Sequence, residues 1–334
     1  MEDVLERPRP RARGRFPVLN VALFLATIAT TIWAGFLFSP LASEEHISLA
    51  SVLEGGLPFA ASLVGILFVH EMGHYVLARR HGVDSTLPFF IPAPVGFGTF
   101  GAVIRIRSAL PSRRAVLDIG AAGPLAGFAV ALPLLFVGLA QSEVIAAEEV
   151  AAAASPQLGA PFWLLTAFVE ELARTGSLGE AASAVGAAFA APGGELATFG
   201  DSLITRGAAW LVFGDMPAGH DVLVHPVALA AWLGLLVTTL NLVPLGQLDG
   251  GHVLYALLGR RGAERGSRLV SGFLLVMGLF AAWSWLVWWA ITRWVVGVRH
   301  PPALSEEPLG PGRRAIAIFS LLLFALTFVP VPLR

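Results

Sequence analysis

The chain contains no cysteine, and every one of its 22 basic residues is arginine, so lysine is absent as well. Without cysteine there can be no disulfide and no thiolate zinc site, and any metal would have to be held by histidine and carboxylate. An all-arginine basic complement suggests a GC-rich genome. With a net charge of -1 and no basic stripe, nothing supports a nucleic-acid partner. Charge of either sign is scarce: 13% of the 334 residues are charged against 56% hydrophobic, and the mean hydropathy is +0.73. That lies far outside the composition of a water-soluble domain. The expectation is an all-α polytopic membrane protein of about six to seven spans embedded in a lipid bilayer.

The arginines set the expected orientation. Arg7, Arg9, Arg11, Arg13 and Arg15 precede an apolar run from Phe16 to Phe38. That run is too long for a signal-peptide core and no small-residue cleavage site follows it, so it reads as a retained span with residues 1–15 as a cytoplasmic tail. A second run, Leu57 to Leu77, ends at Arg79-Arg80, and a third, Ala115 to Leu139, follows Arg113-Arg114. A fourth, Val222 to Val243, is followed by Arg260, Arg261, Arg265 and Arg268. With Arg105 and Arg107 between the second and third runs, fifteen of the 22 arginines fall on one face. The Ala- and Glu-rich segment 141–221 holds only Arg174 and Arg206 and is expected on the other. Within it, Phe162 to Leu172 and Ser202 to Phe213 read as interfacial helices. Val270 to Val298 is long for one span and short for two, with a hairpin preferred, and Ala315 to Leu333 makes a last span.

Against this apolar background, Phe68-Val69-His70-Glu71-Met72-Gly73-His74 carries ionisable groups inside the second run. At membrane depth each such group costs roughly 2.5 kcal/mol or more, so they are seldom present without a task. On a helix, His70 and His74 project from one face a turn apart and can reach one metal ion. Glu71 lies one residue round, suited to take a proton from water at the metal rather than to bind it. The plainer alternative is a pair of satisfied core histidines with Glu71 merely capping or pairing. At about 1.5 Å per residue His70 sits some 20 Å in from Leu57 and about two turns from Arg79, towards the cytoplasmic face.

Three further stretches bear on that site. Between Gly96 and Arg107, glycines give way to alternating Ile and Arg, the pattern of a short strand. Extended backbone near a bilayer must line a protein or watery cavity, so this stretch is expected to form a hairpin whose open edge pairs with an extended substrate. In Gly120-Ala-Ala-Gly123-Pro124-Leu-Ala-Gly127, small residues allow close contact with the histidine-bearing helix. Finally, Asn241-Leu-Val-Pro244-Leu-Gly-Gln-Leu248-Asp249-Gly250-Gly251 reads as a helix broken at Pro244 and restarted at Asp249. A catalytic zinc needs about three protein ligands, and the third is either Asp249 or Asp118. Asp249 is preferred because Pro244 and Gly250-Gly251 free its backbone from helical geometry.

The His70-Glu71-Met72-Gly73-His74 motif together with Asn241-x-x-Pro244-x-x-x-Leu248-Asp249-Gly250 resembles the site-2 protease family of intramembrane zinc metalloproteases. The likeness covers roughly Leu57 to Leu258 and includes Gly98 to Ile104 and Gly123-Pro124-Leu-Ala-Gly127. It implies one Zn2+ bound by His70, His74 and Asp249, with Glu71 as the base and Asn241 touching the substrate or the developing oxyanion. It also implies a transmembrane protein substrate cleaved within or near its span, with Gly98, Phe100, Gly101, Ile104 and Asn241 as the residues that meet it. The expected organisation is a catalytic core over 55–258 interrupted by the 141–221 insertion, then a C-terminal transmembrane region over 259–334. Many relatives carry a PDZ or regulatory domain, and no stretch here is long and polar enough for one. The expected location is a prokaryotic cytoplasmic membrane, with the N-terminus and the site towards the cytoplasm. Nothing in the sequence assigns an oligomeric state. Two rival readings use the same ligands: a metal-binding membrane transporter, and a membrane-anchored zincin of protein quality control.

Overall fold

The computed structural model describes residues 17–43, 46–147, 149–150, 174–177, 179–180, 183 and 200–332. The tail 1–15 and the interfacial helix expected at Phe162 to Leu172 lie outside the described residues. Eight α-helices carry most of the described chain: α1 (Val18–Leu37), α2 (Leu49–Arg80), α3 (Arg113–Ala140), α4 (Leu203–Phe213), α5 (Pro226–Leu242), α6 (Asp249–Phe280), α7 (Ser284–Ile291) and α8 (Pro311–Thr327). Two small antiparallel sheets accompany them. One pairs β1 (Phe89–Pro92) with β2 (Thr99–Val103), and the other pairs β3 (Glu143–Ala146) with β4 (His220–Leu223).

Among the described residues three helices, α1, α2 and α3, are long and apolar enough to cross a membrane. That is fewer than the six to seven spans expected from the apolar runs. Helices α5 and α8 have 17 residues each. Helix α6 has 32, but Gly259 (φ 68°, ψ 179°) breaks it into two pieces and four arginines follow the break. The Val270 to Val298 stretch reverses direction: α6 ends at Phe280 and α7 folds back so closely that a Cβ on Gly278 would lie 2.6 Å from the Leu286 backbone nitrogen.

Local chemistry explains where the boundaries moved. Helix α2 starts at Leu49 rather than Leu57 because Ser48 and Ser51 form a reciprocal capping box before it. Ser112 caps α3 by accepting from the Ala115 amide. The fourth apolar run was expected to be helical from Val222. Its first residues instead form β4, pairing Glu143 with Leu223 and Ala146 with His220. The helix waits for Pro226, whose fixed φ and missing N–H suit a first helical position.

The helices of the core meet through small residues. A Cβ on Gly56 of α2 would lie 2.0 Å from the Ile32 carbonyl of α1, and one on Gly138 of α3 would lie 2.2 Å from the Ala228 nitrogen of α5. Likewise, a Cβ on Gly73 of α2 would lie 2.6 Å from the Ala122 carbonyl of α3. In a bilayer, where burying apolar surface gives little drive for association, this backbone proximity supplies the packing. Gly56→Ala should therefore cost about 1–3 kcal/mol by forcing α1 away from α2. Gly65→Ala on the same helix, with nothing within 4 Å of its Cβ position, should cost nothing. Thermal unfolding of the two variants in detergent checks the contrast.

Candidate active site

Helix α2 presents His70 and His74 one turn apart, with ring centroids separated by 5.0 Å. Both are buried, as is Glu71 between them. The partner carboxylate arrives from the break between α5 and α6. Helix α5 stops at Leu242, Val243 turns out of helical geometry (ψ 120°) before Pro244, and the Leu248 amide bonds back to the Leu245 carbonyl. Gly246 takes a positive φ of 56°, and its amide donates to Ser267 Oγ. Asp249 then opens α6, a position where the helix dipole favours a carboxylate. A Cβ on Gly250 would lie 1.9 Å from the Leu242 carbonyl, so this turn closes only with glycine there.

The result is one compact cluster. Asp249 Oδ2 lies 3.5 Å from His70 Nε2 and 3.2 Å from His74 Nε2, and the two imidazole nitrogens are 3.2 Å apart. Four ligands at zinc-like bond lengths of about 2.0–2.1 Å around a tetrahedral ion are about 3.3 Å from one another. The observed triangle is one face of that figure. The Ile119 carbonyl, which can only accept, lies 2.7 Å from His74 Nδ1, so that nitrogen carries a hydrogen and Nε2 is the atom turned to Asp249. A carboxylate oxygen and two imidazole nitrogens this close call for a cation or shared protons between them. The three residues can hold a metal ion.

Helix α3 makes room for this arrangement. A Cβ on Gly123 would lie 2.0 Å from His74 Nε2, and one on Gly127 would lie 3.1 Å from His70 Nδ1. Gly120 does the same for His252, whose Cβ would be 2.5 Å away. Asn241, in the last turn of α5, puts its amide nitrogen 3.2 Å from His70 Nε2. Glu71 lies outside the triangle and lines the adjoining cavity of about 230 Å³, where the Ile104 backbone amide interacts with its carboxylate.

The other candidate residues are distributed differently. Asp118 is not in the cluster: Arg313 grips it with Nε 2.9 Å from Oδ1 and Nη2 2.7 Å from Oδ2, and His81 Nε2 lies 2.9 Å from Oδ2. The strand expected from the Ile/Arg alternation sits earlier, at Thr99–Val103, and Ile106 makes only an isolated bridge to Ser85. Of the expected substrate contacts, Asn241 and Ile104 line the cavity. Gly98 faces α1 instead, its carbonyl accepting from Thr30 Oγ1 at 2.7 Å. Phe100 is 73% exposed, and Gly101 (φ 97°) has open space at its Cβ position. Ala102, Val103, Gln247 and His252 also line the cavity and were not singled out from sequence. His252 directly follows Gly251 in the sequence, and its spacing from Asp249, one helical turn, was the available signal.

The profile of peptidase family M50 matches residues 58–284, a stretch that holds both halves of the cluster. This chain belongs to peptidase family M50. The site-2 protease resemblance carried by the two motifs is thereby upheld. The chain is 30% identical over 287 residues to "Probable zinc metalloprotease EGY2, chloroplastic" of Arabidopsis thaliana, covering 84% of this chain and 42% of that protein. It is 32% identical over 284 residues to "Probable zinc metalloprotease EGY1, chloroplastic" of Oryza sativa subsp. japonica, covering 85% and 42%. The chain thus spans less than half the length of these relatives. Their names place them in chloroplasts, so they give no support to the prokaryotic cytoplasmic membrane expected from sequence. No solved structure matches the chain.

Because Gly123 leaves room only for hydrogen against His74 Nε2, Gly123→Ala should displace that nitrogen and lower metal affinity tenfold or more, on the order of 1.4 kcal/mol of binding. Gly127→Ala, whose Cβ falls 3.1 Å from His70 Nδ1, should lower it less. Metal titration of both purified variants checks the order.

Proposed function

We propose that this member of peptidase family M50 is an intramembrane zinc metallopeptidase that hydrolyses a peptide bond within or near a membrane span of a membrane-tethered protein. The observation that carries the reading is the cluster itself: His70, His74 and Asp249 meet at ligand distances, and Glu71 stands beside them outside the ligand triangle. His70, His74 and Asp249 are the zinc ligands. A zinc ion held there supplies Lewis-acid chemistry, acidifying water and polarising a peptide carbonyl.

The chain's own groups account for the rest of the reaction. The Glu71 carboxylate takes a proton from the attacking water and returns it to the departing amine nitrogen. The Asn241 side-chain amide, next to His70, is a donor placed for the oxygen on which negative charge develops. The burial of His70, Glu71 and His74 strengthens both interactions. A substrate helix hides its carbonyls in its own hydrogen bonds, so it must unwind before any carbonyl reaches the cluster. Ala102, Val103 and Ile104 bring the β2 edge to the cavity, where an extended segment can regain backbone partners.

In this reading the catalytic core covers 55–258, residues 259–334 add further transmembrane structure, and α5, α6 and α8 join α1 to α3 towards six to seven spans. The site lies near the arginine-rich face. The relatives' names, zinc metalloproteases, agree with the chemistry. Glu71→Gln should retain zinc and the fold while lowering cleavage of fluorescein-labelled casein and of a single-span peptide about 10²- to 10⁴-fold. Cleavage equal to the wild type by that variant would contradict the reading.

A further inference from the structure

His252 faces the cavity and has no role in the mechanism above. It sits one turn beyond Asp249 on α6, and the missing side chain of Gly120 gives it room. Its Nδ1 lies 2.5 Å from Nε2 of His300, a buried residue in the loop that leads to α8. The His300 ring stacks on Tyr255 with centroids 4.2 Å apart and planes 10° from parallel, and its own Nδ1 lies 2.5 Å from the Pro301 carbonyl. Tyr255 in turn donates to Glu306 and accepts from the Ala303 amide at 2.8 Å. The pair of imidazoles is therefore held from behind by a loop that begins some 48 residues further along the chain.

The chemistry of those contacts fixes where the protons lie. A carbonyl only accepts, so His300 Nδ1 carries a hydrogen. Burial pushes the His300 imidazole below its ordinary range and keeps it neutral, so its Nε2 is a lone pair. His252 Nδ1 must then be the donor between the rings. His252 Nε2 is left as an acceptor with no hydrogen-bond partner among the described residues, on a ring that lines the cavity.

An extended peptide alternates its N–H groups between its two edges. If one edge pairs with β2, the N–H groups of the other need acceptors, because unpaired ones in a water-poor membrane site are costly. We propose that His252 is a substrate-binding residue: its Nε2 accepts a hydrogen bond from a backbone N–H of the peptide in the cavity, and His300 positions it by fixing the Nδ1–H tautomer. The inference rests on the peptidase reading. It adds main-chain recognition from the α6 side, which is blind to the substrate's side chains.

The test uses the full chain in detergent with fluorescein-labelled casein, and 15N spectra of histidine-labelled protein. His252→Ala should raise KM about three- to tenfold with a smaller change in kcat, the signature of a hydrogen bond kept from ground state to transition state. His300→Phe retains the stack on Tyr255 but removes the acceptor. It should raise KM similarly and move His252 towards the Nε2–H tautomer, whereas His300→Gln, which can still accept, should stay near the wild type. Cleavage with an unchanged KM in His252→Ala would overturn this inference alone, as would an Nε2–H tautomer of His252 in the wild type. Absence of cleavage by the zinc-loaded wild type would overturn the peptidase reading and this inference with it.

Discussion

The contact between one carboxylate and two imidazoles, made in the wall of a largely buried cavity, is what the rest of the chain is arranged around. Stripping a charged group of water costs roughly several kcal/mol, which is recovered only if it is paired closely or coordinated to a metal. Asp249 therefore cannot sit at the end of α6 unless His70 and His74 come to it, within 3.5 Å and 3.2 Å. Several otherwise odd features follow from that constraint. Pro244 ends α5 early, Gly246 and Gly250 let the chain turn back on itself, and Gly120, Gly123 and Gly127 strip one face of α3 so that the polar side chains have room.

Much of this was legible in the chain because it is written in residue types that membranes exclude. Histidines four apart with an intervening glutamate, inside an apolar run, have few structural excuses, and Pro244 followed by Asp249-Gly250-Gly251 announces a broken helix. The match of depth between the two stretches could be read from arginines alone. What escaped depended on contacts between distant segments. The β3–β4 pair joins Glu143–Ala146 to His220–Leu223 across 73 residues or more, and neither strand carries enough alternation to stand out. The apolar runs gave no hint that α5 and α8 have only 17 residues each or that Gly259 interrupts α6. His300 gave no signal at all, since an isolated histidine in a Pro-rich loop acquires meaning only when Tyr255 and His252 fold against it.

The arrangement divides labour between the two sides of the cavity. Helix α2 brings Glu71, His70 and His74 on one rigid element, which fixes their mutual geometry, while the end of α5 and the start of α6 bring Asn241 and Asp249. The β1–β2 hairpin lies across the cavity, its register set by Phe89 opposite Val103 and loosened by a bulge near Pro92. Pro92 gives β1 no N–H at its end, and β2 has no strand on its other side. Under the proposed reading, recognition through backbone pairing would suit a substrate that must first lose its helix, since it rewards the extended form and ignores the helical one.

Whether two stretches some 170 residues apart in sequence build one metal centre is decided by the carboxylate. Metal analysis of purified Asp249→Asn and Asp118→Asn proteins, both checked for retained helical content, addresses it directly. The account predicts that Asp249→Asn loses zinc and that Asp118→Asn, whose carboxylate serves Arg313 and His81, keeps it. Full zinc occupancy in Asp249→Asn together with none in Asp118→Asn would contradict it.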